Sequence, residues 1–151
     1  MIEAHPVVQR SPSSRPVAID LGSGCGLAAM ALVCAGYDTI ATDKACVMDL
    51  LTENLNSFQT ALRQYTVRSD GVTAMKGGSQ RSFGSLTGIL ELDWNRQEVV
   101  DSACVAGTIK GLMDHCHGEY PDLVVCSDCL YSSASVTPLL DVLDQVRQLL
   151  S

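Results

Sequence analysis

The chain has 151 residues, a formal net charge of -7 and a pI near 4.7. This length fits one domain, and a hydrophobic fraction of 46% with a charged fraction of 18% excludes an intrinsically disordered chain. The acidic balance argues against tight binding of nucleic acid, because neutralising phosphates requires clustered Lys and Arg side chains.

Residues 1–15 contain Pro, Ser and charged residues without a sustained apolar period, which predicts a flexible N-terminal tail. The tail lacks the apolar core of a signal peptide, and no segment approaches the roughly 20 apolar residues of a membrane span. Seven cysteines without a repeating spacing are typical of reduced thiols. These features predict a cytoplasmic protein that has no membrane partner.

The first half of the chain alternates between predicted strands and helices. Residues 16–21 form an apolar strand, as expected of a strand covered on both faces, and residues 39–43 form the second strand. Between them, residues 27–34 are apolar nearly all round, which predicts a helix packed deeply against the sheet. Apolar residues on one face predict a second helix over 47–58, and five glycines with little periodicity predict an inserted loop over 69–88.

The second half continues this alternation. Residues 88–94 predict a third strand, residues 121–131 contain a fourth, and residues 99–113 form a weaker crossover helix between them. Thr137 is a predicted N-cap with Pro138 at the first helical position of the last helix. One face of that helix carries Leu139, Val142, Leu143, Val146 and Leu150.

Strands that alternate with helices are typical of a parallel sheet whose crossover helices cover its faces. We therefore predict an α/β fold, a Rossmann-like parallel sheet with helices on both faces, over residues 16–151.

The strongest functional signal is the sequence DLGSGCG at residues 20–26, where a buried strand runs into alternating glycines before a helix. Glycines let the backbone approach a ligand closely, although a glycine turn alone often binds nothing. Leu27 replaces the third glycine of the dinucleotide-binding pattern. Asp43 ends the second strand about 20 residues downstream, where a carboxylate can accept hydrogen bonds from both ribose hydroxyls. Alone, Asp43 is equally compatible with a helix cap.

Other candidates follow the third and fourth strands. Trp94, the only tryptophan, ends the third strand, where its ring fits an adenine as well as it fits core packing. Ser127, Asp128 and Tyr131 follow the fourth strand at the same edge. A carboxylate and a tyrosine there are able to orient an amine and accept its proton, which is the main requirement for methyl transfer to nitrogen.

Cys126 and Cys129 form a CxxC pair, with His115, Cys116 and His117 upstream, so a zinc site is an alternative. Side chains three apart on a continuing strand point to opposite faces and do not converge on a metal. We therefore predict no metal site.

Together the DLGSGCG loop, the TD that ends the second strand, and the ELDW and SDCLY segments resemble the class I, seven-strand protein-lysine methyltransferases, with the D-x-x-Y signature as the specific part. The resemblance implies the cofactor S-adenosyl-L-methionine and a protein substrate of the chaperone, elongation-factor or ATPase class. It implies these cofactor contacts: Asp20, Gly22, Ser23, Gly24, Asp43, Trp94 and Ser127. It also implies that Asp128 and Tyr131 are catalytic and face the substrate lysine.

Two differences from the family matter. The chain lacks the family's N-terminal segment with a tryptophan that closes over the cofactor, and it stops before three further strands, so the domain is expected to be a partial one of about four strands. Two alternatives to a lysine methyltransferase therefore stay open: a non-catalytic relative that binds cofactor or a partner protein, and a nucleotide-dependent oxidoreductase.

Overall fold

The computed structural model describes residues 15–73, 82–94, 111 and 121–148. Its elements, in chain order, are strand β1 (Val17–Leu21), helix α1 (Leu27–Cys34), strand β2 (Asp38–Asp43), helix α2 (Ala45–Thr73), strand β3 (Leu86–Glu91), strand β4 (Leu123–Cys126), a 3-10 turn (Ser133–Ser135) and helix α3 (Val136–Gln148). The predicted fold class is confirmed, because the four strands form one all-parallel sheet of order β3-β2-β1-β4.

The sheet has a core on each face. On one face, Ile19, Leu21 and Ile40 pack against Leu139 and Val142 of α3. On the other face, Ala41 packs with Ala29 of α1 and with Leu51 and Leu55 of α2. Helices therefore cover both faces, and the central strand β1 is buried along its whole length. Among the described residues, no helix combines the length and apolar character needed to cross a bilayer.

The predicted loop over 69–88 was wrong at both ends. Helix α2 continues to Thr73, and β3 begins at Leu86, which pairs with Thr39 of β2. Helix propagation is cooperative, and one glycine inside a helix costs only about 1 kcal/mol relative to alanine, so Gly71 does not end α2. Residues 74–81 of the predicted loop lie outside the described residues.

The start of the last helix was also predicted wrongly. Helix α3 begins at Val136, so Thr137 lies inside the first turn and is not the N-cap. The chain enters α3 through the 3-10 turn, in which the Ser135 N–H donates to the Ser132 carbonyl at 3.1 Å. Pro138 is tolerated there because the N–H groups of a helix's first turn have no intrahelical partner.

Several predictions fall outside the described residues. These are most of the N-terminal tail, most of the crossover helix over 99–113, the residues His115, Cys116 and His117, and Leu150.

Candidate functional site

The sequence-predicted site residues gather at one end of the sheet. The parallel register aligns Leu21 with Thr42 and with Cys126, and Asp43 with Glu91, so all four strands finish at the same edge. This carboxyl edge is where ligands bind in open α/β sheets. The glycine loop, Asp43, Trp94 and the segment after β4 all follow strand ends at this edge, although Trp94 lies three residues beyond the end of β3.

The glycine loop needs its glycines for backbone conformation. Gly22, Gly24 and Gly26 have φ values of 70°, 56° and 90°, which lie in the left-handed region that residues with a Cβ avoid. Their surroundings differ. A Cβ on Gly26 would lie 3.0 Å from Leu55, whereas a Cβ on Gly24 would meet nothing within 4 Å. Gly24 is therefore the point at which the loop backbone borders open space.

Ser23 joins the loop to β2. Its N–H donates to the Thr42 carbonyl at 2.8 Å, and its hydroxyl accepts from the Thr42 N–H at 3.2 Å. The same hydroxyl donates to the Asp20 carbonyl at 3.1 Å, and the Thr42 hydroxyl donates to that carbonyl at 3.0 Å. Ser23 is buried and its polar groups are used within the protein, so its role in the structure is to hold the loop.

Asp43 and the glycine loop are in direct contact. The Gly24 N–H donates to Asp43 Oδ2 at 2.7 Å, and the Lys44 N–H donates to Asp43 Oδ1 at 2.8 Å. The carboxylate thus faces the loop, and the acid after β2 and the loop after β1 form one structure. Each carboxylate oxygen has two lone-pair directions, so one acceptor position on each oxygen is still available after these two bonds.

Asp20 is completely buried, and neither of its carboxylate oxygens has a hydrogen-bond partner among the described residues. Burial disfavours the charged form and raises the pKa of Asp20, and the negative charge of Asp43 adds to the rise. The nearby Ser23 hydroxyl and Ala29 N–H partly oppose it, but the Ser23 hydroxyl is directed to the Asp20 backbone carbonyl. Asp20 is accordingly an uncompensated polar group directly under the loop.

Trp94 and Cys129 pack against Gly22. A Cβ on Gly22 would lie 2.7 Å from the Trp94 ring and 2.9 Å from Cys129 Sγ, so Gly22 is required for this close approach. Trp94 belongs to the rim of the core formed by β1 and α3, and its buried indole Nε1 has no hydrogen-bond partner among the described residues. The indole therefore has a core-packing role, with one polar donor left unused at the edge of the site.

The two thiols of the CxxC pair differ in environment. Cys126 is exposed, whereas Cys129 is buried and its thiol donates to the Leu21 carbonyl at 3.0 Å. Burial, with the nearby Cys126 and the acids at this edge, raises the pKa of Cys129 to about 11. The exposed Cys126 is still partly desolvated by its neighbours, and this desolvation, with the negative charge of Asp20, raises its pKa. Protonated thiols are poor nucleophiles. Within the ranges that the structure describes, no three His, Cys, Asp or Glu side chains are grouped to hold a metal ion.

Asp128 and Tyr131 are open to solvent. Asp128 has a φ of 56°, so the chain turns sharply after β4 through a left-handed residue, which Asp tolerates better than most non-glycine residues. Tyr131 is 73% exposed, and Ser127 and Asp128 are also exposed. The exposure of Asp128 and Tyr131 suits groups that meet another molecule, and the structure shows no contact that joins them.

Sequence reasoning missed two residues that shape this site. Thr42 holds both Ser23 and the Asp20 carbonyl, and Cys129 closes the space beside Gly22. The available signal for Thr42 was a polar side chain within a strand of the predicted sheet. Cys129 had no such signal, because its contact with Gly22 depends on the turn after β4.

The chain matches no protein-family model, and no curated protein sequence is significantly similar to it.

Proposed function

We propose that this domain binds S-adenosyl-L-methionine and transfers its methyl group to a lysine side chain of a cytoplasmic protein of the chaperone, elongation-factor or ATPase class. The observation that carries the proposal is the hydrogen bond from Gly24 N–H to Asp43 Oδ2, at 2.7 Å. It supports a single ligand site that contains both the loop after β1 and the acid after β2, as adenosine-type ligands require.

The residues fit this cofactor unequally. Gly24 borders open space, and Asp43 keeps acceptor positions for two ribose hydroxyls, so these two residues carry the binding proposal. The indole N–H of Trp94, which has no partner among the described residues, is a further donor at the edge of the site. Gly22 and Ser23 shape the loop, and Asp20 is too buried to touch a ligand without a rearrangement.

Asp128 and Tyr131 have the substrate-facing role in this proposal. When bound, the cofactor supplies an electrophilic methyl group on a sulfonium, so the acceptor amine must be neutral and in line with it. An exposed carboxylate accepts hydrogen bonds from the lysine ammonium, orients it and draws off its proton, while a tyrosine ring packs against the cationic amine. Both side chains are exposed in the turn after β4, which suits contact with a protein surface.

The binding test is titration calorimetry of the full chain with S-adenosylhomocysteine. We expect binding by the wild-type chain and at least about tenfold weaker binding by Asp43→Asn, because a carboxylate accepts from a hydroxyl more strongly than an amide does. Thermal unfolding of each variant, run in parallel, separates lost affinity from lost folding. Absence of binding by the wild type contradicts the proposal, and tighter binding of NAD than of S-adenosylhomocysteine favours an oxidoreductase.

The transfer test uses labelled S-adenosylmethionine and a cell extract. Asp128→Asn preserves the left-handed backbone, since Asn also tolerates it, and removes the charge. We expect transfer to fall by about a hundredfold, in the range typical of losing a general acid–base group, while S-adenosylhomocysteine binding is kept. Asp141→Asn, at an exposed acid on α3, is the matched control and leaves both unchanged. Cofactor binding without any transfer by the wild type selects a non-catalytic relative.

A further inference from the structure

The opposite, amino-terminal edge of the sheet contains a cleft of about 500 Å³. One wall is the face of α2 that carries Gln59, Leu62, Arg63 and Thr66, and the other is the segment 82–86 that leads into β3. The volume is within the range of small-molecule sites in proteins. Because the glycine loop lies at the carboxyl edge of the sheet, this cleft is distinct from the site of the proposed function.

The described lining of the cleft carries basic side chains, whereas the chain as a whole is acidic. Among the described residues, the lining includes Arg15 and Arg63 and no Asp or Glu side chain. Arg63 is exposed and forms no ion pair within the part of the chain that the structure describes. Arg15 contacts Asp38 at 3.5 Å and the Ser85 hydroxyl at 3.3 Å, which holds its guanidinium at the cleft.

The wall formed by residues 82–86 is preorganised. The Gly84 N–H donates to the Val33 carbonyl at 2.8 Å, and the Ser85 N–H donates to Asp38 Oδ1 at 2.9 Å. Gly84 lies so close to Tyr37 that a Cβ would overlap the Tyr37 carbonyl. A wall held in this way loses little conformational freedom when a ligand binds.

The arginines are not needed to cap α1, whose C-terminal end also faces this edge. The carbonyls of Leu32 and Val33 accept from the N–H groups of Tyr37 and Gly36, at 3.1 Å each. These bonds already satisfy two of the last four carbonyls of the helix. Arg63, which forms no ion pair within the described part of the chain, therefore has donors to offer to an external acceptor.

The apolar part of the lining is adjacent to the charges. Leu62 and Phe83 line the cleft, and the Phe83 ring is fixed by an edge-on contact with Tyr65 at 6.1 Å between ring centroids. Guanidinium groups recognise phosphate and carboxylate oxygens through paired hydrogen bonds, and an aromatic wall accommodates an apolar ring or chain. We propose that this cleft binds a small organic anion that bears a phosphate or carboxylate group on an apolar part.

The test titrates the full chain with phenyl phosphate, benzoate and benzyl alcohol, with binding followed by two-dimensional NMR. We expect saturable shifts at the amides of Leu62, Ser85 and Leu86 with one or both anions, and affinity at least about tenfold weaker for the uncharged alcohol. The tighter of the two anions identifies the recognised group. Arg63→Gln is expected to weaken anion binding at least about tenfold, whereas Arg147→Gln, at an exposed arginine of α3, leaves it unchanged.

Three results contradict this proposal: no saturation with either anion, equal affinity for benzyl alcohol, or an Arg63→Gln affinity within twofold of wild type. S-adenosylhomocysteine is added in a separate titration and is not expected to displace the anion. The outcome is therefore independent of the proposed methyltransferase function, since either ligand can bind in the absence of the other.

Discussion

The two edges of the sheet differ in how their charged residues are placed. At the carboxyl edge, Asp20 and Asp43 are buried, and hydrogen bonds within the protein hold the glycine loop. At the amino edge, Arg15 and Arg63 border an open cleft. The N-terminal ends of the helices point to the carboxyl edge and favour negative charge there. At that edge the candidate ligand groups also support the fold, so substitutions should change binding and stability together. At the amino edge Arg63 does not support the fold in this way, so its substitution should change binding without changing stability.

The largest effect is expected from Gly84→Ala at the amino edge. The new Cβ would overlap the Tyr37 carbonyl and lie 2.7 Å from the Tyr37 N, and backbone atoms cannot move aside as a side chain can. We expect a loss of about 3 kcal/mol or more in the free energy of unfolding, measured with urea. Gly24→Ala is the comparison at the carboxyl edge, where only the left-handed φ is strained, and should cost about 1 kcal/mol. Equal losses would show that residues 82–86 are not rigid.

Asp43→Ala should cost about 2 kcal/mol. The substitution leaves the N–H groups of Gly24 and Lys44 without their acceptor, and each lost hydrogen bond to a charged group is worth about 1–3 kcal/mol before water replaces it. Urea unfolding measures the loss, and Asp43→Asn should recover part of it by keeping one acceptor oxygen. A loss below about 0.5 kcal/mol would mean that Asp43 does not hold the loop.

Asp20→Asn should change how stability depends on pH. Since folding raises the pKa of Asp20, its protonated form favours the folded state. The contribution of Asp20 to stability is therefore complete below the ordinary carboxyl pKa and is lost as pH rises through the raised value. We expect the stability of Asp20→Asn relative to wild type to increase by about 1 kcal/mol or more as pH rises from about 4.

This pH dependence is measured as the urea unfolding free energy of wild type and variant at a series of pH values. Asp49→Asn, at an exposed acid of α2, is the control, and its difference from wild type should stay flat over the same range. If the difference in unfolding free energy between Asp20→Asn and wild type is also independent of pH, then the buried carboxylate accepts a hydrogen bond and its pKa is not raised.

The smallest effect on stability is expected from Arg63→Gln, within about 0.5 kcal/mol of wild type, because surface substitutions without partners rarely cost more. Paired with its expected loss of anion binding, this result would separate binding from folding at the amino edge. A large loss of stability measured by thermal unfolding would instead make Arg63 part of the fold.

The sequence was sufficient for the fold class and for the position of the candidate site. Helix α1 has the predicted bounds because its residues are apolar nearly all round, and Asp43 ends β2 as predicted. The alternation of strands with helices then requires parallel strands, and parallel strands place all their carboxyl ends at one edge.

Only the tertiary structure showed what each polar group contacts. Gly84 is one of the five glycines that predicted a flexible loop over 69–88. In the structure, the absence of a side chain at Gly84 lets its backbone lie close to Tyr37, a residue distant in sequence. Asp43 was predicted to hold a ribose, and the structure adds its hydrogen bond to Gly24, which no local pattern reveals. In the sequence Trp94 fits adenine binding and core packing equally well, and the structure adds its close approach to Gly22. Periodicity reports which face of an element is buried, whereas contacts between residues far apart in the chain depend on how the elements pack together.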